Sequence, residues 1–468
     1  MGPATQTASP RGARARRAVR RVTRWPESPG EQPTALADRL LRPFGDVRRG
    51  EGPTALTLLA TLFVILCGYY VCKTVREPLI LADGGAEVKA YASGLQALVL
   101  MVAVPAYSRV AAQVSRRALV LGMTLFFVIN IELFWLLGTM GMPYLGIAFF
   151  VWVGIFNNAI VAQFWSYTND IYRPDHGARL FPVIAIGATL GSPVGAWVAG
   201  RLFDAGVPAL TLLHLAAVCL LVSLAGYLQV ERWQSGKHTA AGGGKDEGST
   251  RDGFAMLARN PYLRLICLLL LLLNVVNTTG EYILSREVLA MADASGACAG
   301  DAAREACIGS FYGSYFFWVN VAAIVIQSLL VSRLVRAVGI AGVLLVLPIA
   351  SFVTYAMVLS GAGFQAFRWT KTIENATDYS AMNTARQMLW LPTARREKYA
   401  AKQAADTFVV RIGDVLAAGL VLAGTTFLSM DRQEFAGALL VVIAAWAGVA
   451  WLLVSEYRRR QADQPQAS

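Results

Sequence analysis

The chain is poor in charge. Only 15% of its 468 residues are Asp, Glu, Lys or Arg, against about 25% in a soluble domain. It has three histidines and six cysteines. No set of them has zinc-site spacing, and His176, His214 and His238 stand apart and read as structural. A phosphate-binding loop is missing as well: Gly242-Gly243-Gly244-Lys245 is followed by Asp246, where such a loop needs Ser or Thr. These gaps exclude a cytosolic enzyme, a zinc domain and a disulfide framework. No catalytic residue, metal site or cofactor is expected, and the chain is not read as an enzyme.

What is abundant is apolar surface, at 56% hydrophobic residues and a mean hydropathy of +0.48. It is laid out in runs of about 20, the length that crosses a bilayer as a helix. Twelve spans are predicted, at 54–81, 90–112, 118–139, 143–168, 179–203, 207–230, 262–289, 310–332, 338–360, 361–384, 404–428 and 434–455. The division between spans nine and ten rests on Gly361, Ala362 and Gly363. The fold class is therefore an all-α membrane protein of two six-helix halves.

The net charge of +12 follows the loops, so no nucleic-acid partner is inferred. The first 53 residues hold eleven arginines. Arg109, Arg116 and Arg117 follow span two, and Arg232, Lys237, Lys245, Arg251 and Arg259 lie between the halves. Arg333 and Arg336 follow span eight, Arg395, Arg396, Lys398 and Lys402 follow span ten, and Arg458, Arg459 and Arg460 end the chain. With twelve spans all of these fall on one side. The other side is left with Lys89, Arg201, Arg304 and Arg432. Basic loops stay cytoplasmic, which predicts a multi-pass protein of a bacterial inner membrane with both termini inside. Five units result: a basic arm (1–53), an N-terminal bundle (54–230), a cytoplasmic linker (231–256), a C-terminal bundle (257–457) and a tail (458–468). Cys298 and Cys307 fall in an outer loop, where they read either as a disulfide or as free thiols.

A duplication runs through the chain. Arg76-Glu77-Pro78-Leu79-Ile80-Leu81-Ala82-Asp83 closes span one, and Arg286-Glu287-Val288-Leu289-Ala290-Met291-Ala292-Asp293 closes span seven, 210 positions on. Two such halves around a midplane cavity are the plan of many secondary transporters.

A charge at mid-bilayer costs about 2.5–3.5 kcal/mol on insertion scales, so embedded charges should face a wet cavity or a partner. Span one puts Tyr69, Lys73 and Arg76 on one helical face. Glu77, four residues after Lys73, is placed to pair with it, and Pro78 predicts a kink. Span three carries Glu132. Span seven presents Asn274, Asn277 and Glu281; span ten presents Arg368, Lys371, Asn375 and Asp378, with Glu374 beside them; span eleven carries Arg411 and Asp414. Such residues are either pathway groups or interhelical pairs that fix packing. Asn158, Trp165 and Asn169 share a face near Phe164 and Tyr167, as an aromatic belt or a platform for a planar ligand. Gly187, Gly191 and Gly195 form a small-residue stripe for close helix packing.

Three stretches carry a family resemblance. The first is Lys73-Thr74-Val75-Arg76-Glu77-Pro78-Leu79 with Gly85-Ala86-Glu87 downstream. The second is Phe164-Trp165, Ala178-Arg179-Leu180-Phe181 and the glycine stripe. The third is Tyr379-Ser380, Thr384-Ala385-Arg386-Gln387-Met388, Leu391-Pro392, Glu397-Lys398 and Lys402-Gln403-Ala404-Ala405-Asp406. In these the chain resembles the ATP/ADP translocases of plastids and intracellular bacteria, a major-facilitator-like family. Arg76-Glu77 stands where that family has Lys-Asp, and Arg386-Gln387 where it has Lys-Glu. The resemblance implies exchange of nucleotides by alternating access.

The residues and the resemblance together predict a secondary transporter of an anionic, phosphorylated solute, with nucleotide leading. Lys73, Arg76, Lys371 and Arg386 are expected to bind phosphate oxygens, with Glu281 and Asn375 completing the substrate site. Glu77, Glu132, Glu281 and Asp378 are expected to pair with the cations or couple the cycle. Two other readings use the same chain. One is a proton-coupled transporter of another small solute, with the embedded acids as carriers. The other is a membrane sensor or scaffold that moves nothing.

Overall fold

A computed structural model describes residues 36–234, 250–394 and 397–462. Most of the arginine-rich arm, the glycine-rich part of the linker, Arg395, Arg396 and the last residues of the tail lie outside the described residues.

Among the described residues the secondary structure is helical throughout. A short helix α1 (Leu36–Leu41) precedes α2 (Gly52–Gln113), α3 (Arg116–Thr139), α4 (Leu145–Ile171), α5 (Pro174–Asp204) and α6 (Ala209–Gln234). The second half opens with the short amphipathic α7 (Thr250–Arg259). It continues with α8 (Pro261–Ala294), α9 (Asp301–Val325), α10 (Ser332–Leu359), α11 (Phe364–Thr377) and α12 (Asn383–Met388). It ends with α13 (Val410–Thr426) and α14 (Arg432–Ala462). Nine helices among the described residues are long and apolar enough to cross a membrane. Two of these, of 56 and 59 residues, are each long enough to cross twice, since about 20 residues span a bilayer. Together with the polar segment of α11 and α12, this is consistent with twelve crossings. A helix is the natural solution here because each backbone N–H and C=O finds its partner within the segment.

The divisions between crossings come from glycine. Helix α2 breaks at Gly84 and Gly85, where Gly85 has φ +77°, a left-handed conformation that suits a residue without Cβ. Pro78 stays within the helix, so the kink predicted there is displaced to the glycines. The turn is so tight that no loop remains. Lys89, predicted to lie in an outer loop, is instead in the second limb of α2 and 4% exposed. Span eight parts from span nine at Gly339 (φ +63°). Gly361 (φ +83°) precedes α11, as the division between spans nine and ten requires.

The repeat persists in the structure. The first limb of α2 (52–83) and α8 (Pro261–Ala294) start and stop in the 210-residue register. Asp83 accepts from the N–H of Gly146 at 2.7 Å and so caps α4, whereas its counterpart Asp293 pairs with Arg304 at 2.8 Å. The glycine stripe of α5 packs on the backbone of the first limb of α2: a Cβ at Gly187, Gly191 or Gly195 would strike the carbonyl of Leu59, Phe63 or Cys67. Phe164 is fully buried, and Trp165 meets Phe181 edge-on. These aromatics are packing in the first bundle rather than a lipid-facing belt.

At the start of α2, Asp38 is buried and accepts from the N–H groups of Gly50 and Gly52. Arg179 of α5 reaches Glu51 at 2.8 Å. Burial works to raise the Glu51 carboxyl, but the Arg179 hydrogen bond leads the groups that hold it below the usual carboxylate range. Cys298 and Cys307 form a disulfide that closes the turn between α8 and α9.

Candidate functional site

The two bundles meet along a seam where α5 packs on α9 and the second limb of α2 packs on α13. Gly200 lies against the backbone of Gly313, and Phe203 fills the space above Gly309. Polar contacts across the seam fall at mid-membrane or toward the end where the disulfide lies. They are Tyr70 to Asn320, Lys73 to Tyr379, Lys89 to Ser285 and Tyr312, Tyr282 to Glu87, and Tyr91 with Thr425. Ser310 to Asp204 and the N–H of Ala209 to Glu305 complete the set. The seam is thus closed at this end. Tyr379 remains 42% exposed although Lys73 donates to its hydroxyl.

Lys73 sits at this boundary. It is 9% exposed, its ammonium lies 4.3 Å from the centre of the Phe316 ring and 5.1 Å from that of Tyr70, and it donates to Tyr379 at 3.3 Å. Among the described residues it makes no ion pair. The expected pairing with Glu77 is absent because Glu77 is taken at both oxygens: Arg76 holds one at 2.6 Å, and Lys89 reaches the other at 2.6 Å across the Gly84–Gly85 turn. Arg76 also lies over the Phe150 ring. Sequence pattern does not mark Lys89 as a site residue, because a basic residue between apolar runs reads as loop. The paired glycines before it were the available signal.

The second bundle is arranged differently. Lys371 is 0% exposed and pairs with Glu374 at 3.2 Å, with Tyr355 also at 3.2 Å. Glu281 accepts from Asn375 at 2.8 Å, and Asn375 donates equally to Tyr315. Among the described residues, neither Glu281 nor Asp378 forms an ion pair. Asp378 opens a π turn, Asp378–Met382, between α11 and α12. Such turns recur at functional sites.

Two predicted residues lie apart. Arg386 is near the C-terminal end of span ten and pairs with Asp406 at 3.5 Å. Glu132 is 41% exposed and 2.9 Å from His214, so that histidine is not isolated. Their partnership needs spans three and six side by side, which sequence spacing does not display. Arg411 and Asp414 pair with each other, Glu287 with Arg432. Among the described residues, no group of three or more His, Cys, Asp or Glu could hold a metal ion.

No family model matches the chain. It is similar to ADP,ATP carrier protein 1 of Chlamydia pneumoniae, 22% identical over 352 residues. The match covers 64% of this chain and 65% of that protein's length, and it bears out the resemblance seen in the sequence. A crystal structure of the nucleoside transporter NupG superposes with a TM-score of 0.61 at 14% identity, covering 87% of this chain and 99% of that one. The peptide transporter POT in complex with sulfate gives 0.62 at 14% identity, covering 91% and 99%. A bacterial homologue of the human lysosomal transporter Spinster, inward-facing and unoccupied, gives 0.57 at 15% identity, covering 92% and 99%. These likenesses fix the fold as major-facilitator-like, an all-α multi-pass membrane protein.

Proposed function

We propose that this chain is a secondary transporter that carries an anionic, phosphorylated solute, nucleotide first among the candidates, by alternating access. The observation that supports this most is Lys73, a nearly buried cation at the bundle seam with aromatic rings around it and no carboxylate in ion-pair reach. Keeping such a charge in a low-dielectric setting is costly, and a phosphate oxygen would offset that cost. Arg76, whose planar fork suits phosphate, is already half-committed to Glu77 and would exchange that partner for substrate. Lys89 would then keep Glu77 neutralised, so no carboxylate is left bare during loading.

The rings of Tyr69 and Tyr379, the less buried of those around Lys73, offer faces on which a nucleobase can stack. Lys371 lies behind Tyr315 and Tyr355 and serves as an internal counter-charge to Glu374. Arg386, at the cytoplasmic end, would attract an entering anion. In this reading the closed end, which carries the disulfide, faces the oxidising exterior and the basic loops face the cytoplasm. The carrier relative supports exchange of nucleotides, with the substrate itself driving the return step.

The test is counterflow in liposomes holding the purified full-length protein. Labelled ATP should enter vesicles loaded with ADP and not vesicles loaded with buffer, and Lys73→Ala should abolish this. Uptake into empty vesicles that collapses with a proton uncoupler would replace exchange with proton coupling. Absence of uptake for every nucleotide and sugar phosphate would end the reading.

A further inference from the structure

Behind the seam, inside the second bundle, lies a small cavity of mixed apolar and polar lining that the proposed solute pathway does not use. It is lined by apolar side chains of α8, α10 and α14 and by Asn277 of α8, Ser351 of α10, Glu374 and Asn375 of α11, and the adjoining Asp378. Its volume is about 10 Å³, room for one particle the size of a water molecule.

The cavity's chemistry is that of oxygen. Glu374 is 3% exposed. Its Oε1 accepts from Lys371, Ser351 and Tyr355, while its Oε2 is buried and makes no hydrogen bond. Asn375 spends its amide hydrogens on Glu281 and Tyr315, so it has only its carbonyl oxygen left to offer. Asp378 brings a second carboxylate with no ion pair among the described residues.

Charge points the same way. Of Glu281, Glu374 and Asp378, only Glu374 forms an ion pair among the described residues, with Lys371. Leaving buried carboxylate oxygens without a partner is expensive. A bound cation would remove that cost, and hard cations take oxygen ligands from carboxylates, amide carbonyls and hydroxyls. Two carboxylates, one of them already shared with a lysine, suit a single positive charge better than a divalent or transition ion, which favours richer donor sets.

We propose that this cavity binds one alkali cation, Na+ or K+, held by Glu374 Oε2, the Asp378 carboxylate and the oxygens of Asn277 and Asn375. Lys371 and Ser351 hold Oε1 and so turn Oε2 toward the ion. Asn375 links the site to Glu281 at the seam, so occupancy bears on how the bundles close.

Binding is measured on the protein itself, independently of whether any nucleotide moves. Thermal unfolding of the purified full-length chain is followed while NaCl or KCl replaces N-methyl-D-glucamine chloride at constant ionic strength and fixed pH. The melting temperature should rise saturably with Na+ or K+, since a ligand that binds only the folded state stabilises it by mass action. Asp378→Asn should raise the half-saturating concentration about tenfold or more, equal to about 1.4 kcal/mol. Asn277→Leu, which fills the cavity without touching a charge, should remove the response. Identical melting in all three salts would overturn the proposal. So would a stabilisation that follows pH without alkali cation, or an unaltered response in both variants.

Discussion

Span one and span ten touch at Lys73 and Tyr379, yet they bring opposite charge to the contact. On the first bundle's side, Lys73, Arg76 and Lys89 gather near Glu77, which pairs with the last two. On the second bundle's side, Glu281, Glu374 and Asp378 gather near Lys371, which pairs with Glu374. Taken over the whole chain the embedded charges nearly cancel. Separated by the fold, they form a cationic wall and an anionic wall across one seam. Ligand chemistry divides with them: an anion suits the first wall and a small cation the second. Closure of the seam also gains from the attraction between walls, so substrate charge can regulate it.

The largest expected effect comes from removing the one acid of the cationic wall. Glu77→Ala leaves Arg76 and Lys89 buried without a counter-ion, which should cost about 3–5 kcal/mol of stability. Denaturant or thermal unfolding in detergent would show it, and adding Lys89→Met should recover part of the loss. Next in size is the ligand effect at Lys73. Lys73→Ala should weaken nucleotide binding by about 2–5 kcal/mol, the usual cost of truncating a desolvated charge partner. The melting temperature should change little, since no ion pair is broken. If titration calorimetry finds affinity unchanged, the cationic wall is not the anion site.

The anionic wall is expected to behave oppositely. Replacing Lys371 and Glu374 together, by Met and Gln, exchanges a buried pair for neutral side chains, a change that is often close to neutral in stability. Nucleotide affinity should then stay within about threefold, or 0.7 kcal/mol. A large loss would place Lys371 on the substrate path after all. The smallest effect is predicted away from both walls: Glu132→Gln, facing outward beside His214, should shift stability by about 0.5 kcal/mol or less and leave transport unchanged.

The architecture was legible because bilayer physics writes it in long apolar runs and in basic loops. The repeat was legible too, since Arg76 to Asp83 and Arg286 to Asp293 recur in a register that the helices obey. The partners of the charges were not. Spacing along a helix offered Lys73 to Glu77, but Lys89 arrives around a turn, and only tertiary structure carries that. Lys89 was hidden for a related reason: two glycines suffice to reverse the chain, so a residue counted as loop is already in the next helix. Nor can a sum over the sequence separate charge into walls, because the separation depends on which faces meet.

The tight corner at Gly84 and Gly85 has a mechanical meaning. With no slack between the limbs of α2, and with Glu77 and Lys89 clasped across the bend, the two crossings behave as a bracket whose arms share one rotation. A small tilt imposed at Lys73 on one arm must therefore appear at Tyr91 and Thr425 on the other. In the proposed cycle, occupancy of the central site and opening of the far rim would then be parts of a single displacement.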